Sequence, residues 1–121
     1  MDDFYNAIRS EISMIKGDTL AFNFQIQGLG GATPSEIVFT CREKPLATDT
    51  LFTQSLTGGG ITLVSRDSDT DTNTYSVRVR PDQTENITPA RYFYDLELSV
   101  GEDVLTLMKG RLNIDWDVTR G

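Results

Sequence analysis

The sequence contains no histidine and only one cysteine, Cys41. Histidine is the side chain most often used as a general base near neutral pH, and it is the commonest metal ligand. Its absence excludes Ser-His-Asp and Cys-His catalysis within one chain. A single cysteine excludes an intrachain disulfide, which fits synthesis in a reducing cytosol. Cys41 alternates with polar residues on the same predicted face as Ile37 and Phe39, so we predict a buried core residue.

The sequence also has no run of 18 apolar residues, and Asp2 and Asp3 stand where a signal peptide would carry basic residues. The formal net charge is −7, and the 11 basic residues are scattered along the chain. Nucleic-acid binding draws on clustered lysine and arginine. We therefore predict no membrane partner, no nucleic-acid partner and no cofactor. A length of 121 residues fits a single domain.

What is present is a period-two pattern. Apolar and polar residues alternate over residues 20–26, 37–41, 75–79, 92–100 and 112–118, as half-buried strands require. Residues 51–56 and 61–65 flank three glycines and predict a hairpin. Residues 82–88 predict one helical turn, and Gly110 a bulge. Seven or eight short strands favour an antiparallel β-sandwich, with a small barrel as the alternative.

Residues 1–12 differ from the rest of the chain. Phe4, Tyr5, Ile8 and Ile12 recur at spacings near three and four, which predicts a short amphipathic helix. We expect this N-terminal helical arm to precede a sandwich domain over residues 13–121. The arm either packs on its own sheet or docks on a neighbouring molecule, and both alternatives stay open. Phe4, Tyr5 and Ile8 are candidate interface residues.

One polar stretch resembles half of a calcium loop. Asp67, Asp69, Asp71 and Asn73 place oxygen ligands at every second position. An EF-hand would need glycine at position 72 and glutamate at position 78, which hold threonine and arginine here. We favour a polar loop between strands and keep these four residues as a weak calcium candidate.

Three aromatic residues follow the alternation and one departs from it. Tyr92 and Tyr94 alternate with polar residues, so we predict that both lie in the core. Trp116 continues the alternation near the end of the sequence, and we predict a core position for it too. Phe93 shares its face with Asp95 and with further polar residues along the same segment. An exposed aromatic in such a setting is a candidate contact anchor.

The C-terminal third also carries short motifs. They are Tyr92-Phe93-Tyr94-Asp95, Thr106-Leu107 followed by Gly110, and Asp117-Val118-Thr119. Upstream, Ile15-Lys16-Gly17-Asp18-Thr19 leads into an alternating strand. Together these motifs resemble the N-terminal domains of upper-baseplate proteins and small virion proteins of tailed phages and prophages. The resemblance spans most of residues 13–120, with a variable middle. Tyr92, after the turn at 82–88, also resembles the tyrosine corner of sandwich domains.

The resemblance implies an immunoglobulin-like β-sandwich in a phage or prophage virion, where it serves as a baseplate, tail, neck or capsid-decoration part. It implies protein–protein assembly with other virion proteins or with copies of itself as a homo-oligomer. Localisation would be the virion, assembled in the bacterial host cytoplasm. It implies no catalytic residues, so we expect no enzyme. Because the sequence ends at Gly121, we expect a connector, hub or decoration role. The alternatives are an immunoglobulin-like carbohydrate- or peptide-binding module and, less favoured, a hydrolase with a carboxylate pair.

Overall fold

A computed structural model describes residues 8–116 of the chain, and within this range it has nine strands and one short helix. The strands are β1 (Ile8–Arg9), β2 (Ile12–Ile15), β3 (Leu20–Gln27), β4 (Glu36–Arg42), β5 (Phe52–Ser55), β6 (Ile61–Asp67), β7 (Thr72–Val79), β8 (Ala90–Val100) and β9 (Asp103–Asp115). The helix α1 (Pro81–Thr84) lies between β7 and β8. No helix of the described part is long and apolar enough to cross a membrane.

The strands form two sheets. The larger sheet has the order β1-β9-β8-β4-β5, with β2 also paired to β9, and the smaller sheet has the order β3-β7-β6. All pairings are antiparallel except those of β1 and β2, which run parallel to β9. This arrangement confirms the predicted all-β architecture of two sheets and is that of a β-sandwich.

The alternation of apolar residues correctly predicts which side chains face the space between the sheets. On β4, Ile37, Phe39 and Cys41 are fully buried. The Phe39 ring lies 5.6 Å from that of Phe22 on β3, so it joins the two sheets. It also lies 5.4 Å from the Tyr94 ring on β8. Aromatic pairs at these separations add about 0.5–1.5 kcal/mol to the burial of their apolar surface.

The tyrosine corner predicted at Tyr92 is present. Its hydroxyl donates a hydrogen bond to the carbonyl oxygen of Thr88, four residues upstream. The turn before it includes α1, where the predicted helical turn is confirmed over Pro81–Thr84. Thr84 is fully buried, and its hydroxyl oxygen accepts a hydrogen bond from the Gly17 amide at 3.0 Å. This bond ties the helical turn to the segment between β2 and β3.

The predicted N-terminal helix is not found in the part that the structure describes. Ile8–Arg9 pairs with residues 108–109 of β9, and Ile12–Ile15 pairs with residues 112–115. Residues 1–7 lie outside the described range. The helical spacing is a local signal, whereas the free edge of β9 offers backbone hydrogen bonds to an extended partner. Tertiary pairing therefore overrides the local pattern.

The predicted hairpin across the glycines at 58–60 is wrong. β5 pairs with β4 in the larger sheet, and β6 pairs with β7 in the smaller one, so this segment crosses between sheets. Gln54 explains the crossing, because its side chain is 6% exposed and donates to the Arg78 carbonyl and, at 2.7 Å, to Gln83 Oε1. A buried amide with such partners fixes β5 beside the end of β7.

Gly110 does not mark a bulge. The register of β8 against β9 shifts near Leu107, between the pairs Leu96–Met108 and Glu97–Thr106. Gly110 instead makes room for the chain between β1 and β2. A Cβ atom at this position would overlap the Ser10 carbonyl oxygen and lie 2.9 Å from its carbon. The same oxygen accepts a hydrogen bond from the Tyr94 hydroxyl at 2.8 Å.

Trp116 is also placed differently from the prediction. It follows the last residue of β9, and its side chain is 61% exposed. Alternation holds only while the strand is paired, and Ile114 is the last residue of the segment that reaches the core. The Lys16 ammonium lies 5.4 Å from the centre of the indole ring, within the range of a cation–π contact. By contrast, Tyr92 and Tyr94 are buried as predicted.

Candidate interaction face

The outer face of the larger sheet carries Phe93. Tyr92 and Tyr94 point to the core from β8, so Phe93, which lies between them, points away from it. In the register of the sheet, Phe93 lies opposite Arg42 on β4 and Arg111 on β9. The Phe93 side chain is half-buried between these neighbours. Phe93, the predicted contact residue, therefore lies in a row across three strands and has an arginine on either side.

A second row lies beside the first. Asp95 is opposite Thr40 on β4 and Lys109 on β9. One carboxylate oxygen of Asp95 lies 3.5 Å from the Arg42 guanidinium, and both side chains are about one third exposed. At that exposure solvent screens the ion pair, which contributes about 0–1 kcal/mol to stability. The pair orients Arg42 along the face more than it stabilises the fold.

These two rows surround an open depression of about 520 Å³. Its lining residues come from β4, the segment after it, β8 and β9: Arg42, Pro45, Phe93, Tyr94, Asp95, Thr106, Lys109, Gly110 and Arg111. We call this site the cationic depression. It is wide and open to solvent, and it has an aromatic floor with charged walls. Such a surface suits a protruding segment of another macromolecule better than an enclosed small molecule.

The charge of the depression opposes that of the chain. Three of its lining residues are basic and one is acidic, whereas the whole sequence carries a net charge of −7. Lys109 and Arg111 are exposed, and within residues 8–116 neither has a carboxylate at salt-bridge distance. Unpaired cations around an aromatic residue attract a carboxylate that brings apolar surface with it.

A shallower depression lies where β2 and the end of β9 meet. Trp116, Arg91 and Asn113 line it, together with Ser13 and Pro89. The Asn113 amide nitrogen donates to Glu11 and Ser13, while its side-chain oxygen is shielded from solvent and has no partner among the described residues. Exposed indole and guanidinium groups make this the second surface with binding character.

The predicted calcium ligands make hydrogen bonds within and next to the β6–β7 hairpin. Asp71 accepts hydrogen bonds from Arg66 and from the Gly30 amide, each at 2.8 Å. These bonds hold the pKa of the Asp71 carboxyl below its ordinary value. Asn73 is 5% exposed, and its side-chain oxygen accepts from Arg66. The structure thus places an arginine, and not a cation site, between the two predicted ligands.

The remaining two candidates do not complete a metal site either. Asp67 accepts a hydrogen bond from the Asp69 amide at 3.0 Å, which shapes the tip of the hairpin. Across residues 8–116, no cluster of three or more His, Cys, Asp or Glu side chains has the proximity to hold a metal ion.

Of the predicted interface residues at the N-terminus, Phe4 and Tyr5 lie outside the described range. Ile8 is the first residue of β1, and its backbone pairs with that of Met108. The segment therefore continues the edge of the larger sheet, next to the strand that carries Lys109 and Arg111. Phe93 and Ile8 share one sheet, separated by β9.

Cys41 is not available for chemistry. It is fully buried, and this desolvation raises the pKa of its thiol to about 12. A thiol with such a pKa stays protonated at neutral pH and does not act as a nucleophile. The prediction that Cys41 is a core residue is confirmed.

Sequence reasoning found Phe93 but missed its basic neighbours. Arg42 is more than sixty residues away from Lys109 and Arg111 in the sequence, and only strand register brings it next to them. The available signal was their place in the alternation: Arg42 follows the buried Cys41, and Arg111 precedes the buried Leu112. That signal shows an outward direction but not which strands become neighbours.

Comparison with known proteins finds similar folds but does not assign the chain to a family. No protein-family model matches the chain, and no curated protein matches it. A family 123 glycoside hydrolase from Clostridium perfringens, studied for glycolipid glycan hydrolysis, has a TM-score of 0.50 and 10% identity over 90% of this chain. This chain spans only 23% of that enzyme. The natural cytotoxicity receptor NKp44 has a TM-score of 0.45 and 15% identity, over 93% of this chain and 99% of the receptor.

At such low identity the likeness to the hydrolase shows the fold alone. Sheet order, the tyrosine corner and this likeness together define the class: an all-β domain with two packed sheets. Sandwich domains serve many roles, so function has to be argued from the outer face of the larger sheet.

Proposed function

We propose that this chain is an immunoglobulin-like β-sandwich that serves as a structural component of a tailed-phage or prophage virion. It acts by protein–protein assembly and not by catalysis. The observation that carries the assembly proposal is the open outer face of the larger sheet, where Phe93 lies between Arg42 and Arg111. Aromatic and arginine side chains are the residues most enriched at the centres of protein interfaces.

The virion proposal is supported by the sequence motifs, four residues of which have defined structural roles within the described range. Tyr92 makes the tyrosine corner, a mark of immunoglobulin-like sandwiches. Tyr94 and Gly110 meet at the Ser10 carbonyl, where the N-terminal strand joins β9. Asp95 orients Arg42 on the outer face. The motif residues thus build the part of the domain that presents the cationic depression.

The proposal is tested on virus particles. Particles are purified by density gradient after prophage induction in a strain that carries the gene, and the chain is quantified against the major capsid protein by mass spectrometry. A fixed copy number per particle is expected, because structural components assemble in defined symmetry. A chain that stays in the soluble lysate and is missing from intact particles would overturn the virion role.

A glycan-binding module is the second candidate, and exposed Trp116 favours it. The indole is 61% exposed, lies beside Lys16, and is the only tryptophan of the sequence. Aromatic faces stack on sugar rings, so its fluorescence reports directly on such binding. Titration with a panel of soluble oligosaccharides is expected to leave the emission unchanged if assembly is the function. A saturable shift that Trp116→Ala abolishes would favour the glycan-binding module.

A further inference from the structure

The β8–β9 hairpin carries two surfaces of opposite charge. Its turn consists of Gly101, whose φ of +59° is readily adopted by glycine, and Glu102, and Asp103 is the first residue of β9. Both acidic residues are exposed, and the next residue, Val104, is 63% exposed. We call residues 102–104 the acidic tip. Further along the same two strands lie Phe93, Lys109 and Arg111 of the cationic depression.

The two surfaces cannot meet within one molecule. Val104 pairs with Ser99, and Arg111 pairs with Phe93. Residues 93 and 99 are six positions apart on β8, which is about 20 Å at about 3.3 Å per residue. β8 and β9 stay paired between these positions, with one register shift near Leu107, so the tip does not reach the depression of its own molecule. Any acidic segment that fills the depression must therefore come from elsewhere.

The tip matches the depression in chemistry. The tip has two adjacent carboxylates and the depression has the Lys109 ammonium and the Arg111 guanidinium. None of these four groups has an ion pair among residues 8–116. Val104, which is 63% exposed, supplies apolar surface for contact with the half-buried ring of Phe93. Two other acidic side chains are already engaged, Asp71 by Arg66 and Glu36 by the Thr57 hydroxyl.

We propose that the acidic tip of one copy binds the cationic depression of a second copy. This inference rests on the proposed function, and it names the surfaces through which copies assemble. Because the two surfaces differ, each copy offers one of each. Contact through one pair per interface gives a head-to-tail ring or filament, and reciprocal contact gives a two-fold dimer. Both arrangements use the same four charged residues.

The test reverses the charges on each surface of the full chain. One variant carries Lys109→Glu and Arg111→Glu, and the other carries Glu102→Lys and Asp103→Lys. Arg78→Glu on the smaller sheet and Glu85→Lys after α1 serve as single charge-reversal controls of the same two signs, since both residues are exposed. Absolute mass is measured by multi-angle light scattering across protein concentrations, and circular dichroism with thermal unfolding checks that each variant is folded.

We expect the wild type and both controls to assemble with the same concentration dependence. Each double reversal is expected to weaken assembly about tenfold or more, because like charges then face each other. Mixing the two reversed variants restores assembly, since a basic tip then meets an acidic depression. High salt near 1 M weakens the wild-type assembly as well.

Two results would overturn the inference. If both reversed variants assemble as well as the wild type, the copies use another interface. The virion proposal then stands on the particle experiment alone. A wild type that is monomeric at all concentrations contradicts tip-to-depression self-assembly, whereas presence of the chain in purified particles still supports the virion role. Loss of assembly in a reversed variant without rescue on mixing also argues against direct pairing of the two surfaces.

Discussion

The two sheets of the sandwich end in different ways. The larger sheet is extended past β9 by the parallel strands β1 and β2, which come from the opposite end of the sequence. The smaller sheet ends at β6, which is exposed over residues 62–67 and shifts register between Leu63 and Ser65. One edge is secured by long-range contacts, and the other by a local hairpin. Substitutions in the larger sheet should therefore affect the whole domain, and those at the edge of the smaller sheet only their surroundings.

The largest effect is expected where the two sheets meet. Phe39→Ala removes a fully buried ring that contacts Phe22 and Tyr94, and it should lower the free energy of unfolding by about 3–5 kcal/mol. Urea titration followed by circular dichroism measures this change. Leu63→Ala at the exposed edge of the smaller sheet is the control and should change stability by less than about 0.5 kcal/mol. Equal effects of the two substitutions would contradict the contrast between the sheets.

Gly110→Ala tests how the N-terminal strands join the larger sheet. The added methyl group would overlap the Ser10 carbonyl, so the backbone must shift, at a cost of about 1–3 kcal/mol. Chemical denaturation gives the free energy, with Thr106→Ala on the same strand as control. An unchanged midpoint for Gly110→Ala would mean that Ser10 does not pack against Gly110 in solution.

Two tyrosines sharpen the comparison further. Tyr94→Phe removes the hydrogen bond to Ser10, and Tyr92→Phe removes the one to Thr88; each should cost about 0.5–1.5 kcal/mol. Hydrogen exchange separates them: the amides of Ile12–Ile15 should exchange faster in Tyr94→Phe but not in Tyr92→Phe. The same exchange pattern in both variants would argue that the Tyr94 hydroxyl has no specific role in holding the N-terminal strands.

The smallest effect concerns the hairpin of the smaller sheet. The pKa of Asp71 is lowered in the folded protein, chiefly by its hydrogen bond to Arg66. As the pH falls, the unfolded state therefore binds the proton at a higher pH than the folded state does. Stability from this group is present above the unfolded pKa and is lost as pH falls through the folded pKa. Asp71→Asn should flatten the pH dependence of the thermal midpoint below about pH 4. If Asp71→Asn and wild type keep parallel profiles there, the Arg66 contact does not govern the hairpin.

Local pattern was enough to predict most strands and the inward residues of the core. Alternation of side chains follows from the strand backbone itself, so Ile37, Phe39 and Tyr94 could be assigned without a structure. The tyrosine corner was recognisable because Tyr92 follows a short helical turn. Phe93 was found by the same alternation, as the apolar residue on a polar face.

Strand partners could not be predicted in this way. The glycines at 58–60 permit a hairpin, yet the buried amide of Gln54 and the pairing of β5 with β4 direct the chain to the other sheet. Residues 1–12 have helical spacing, but within the described range Ile8–Arg9 and Ile12–Ile15 are extended strands paired with the edge of β9. The cationic depression depends on both register and pairing, so its basic residues carried no recognisable signal in sequence order.

The bond between Tyr94 and Ser10 also bears on how the chain folds. It joins residues 84 positions apart, and the neighbouring contact between Asn113 and Ser13 spans 100 positions. Closing loops of this length is entropically unfavourable until most of the sandwich is in place, and high contact order slows folding. We therefore expect the N-terminal strands to dock in the last step of folding, after β9 has been synthesised. Until then the edge of the larger sheet remains open to neighbouring chains.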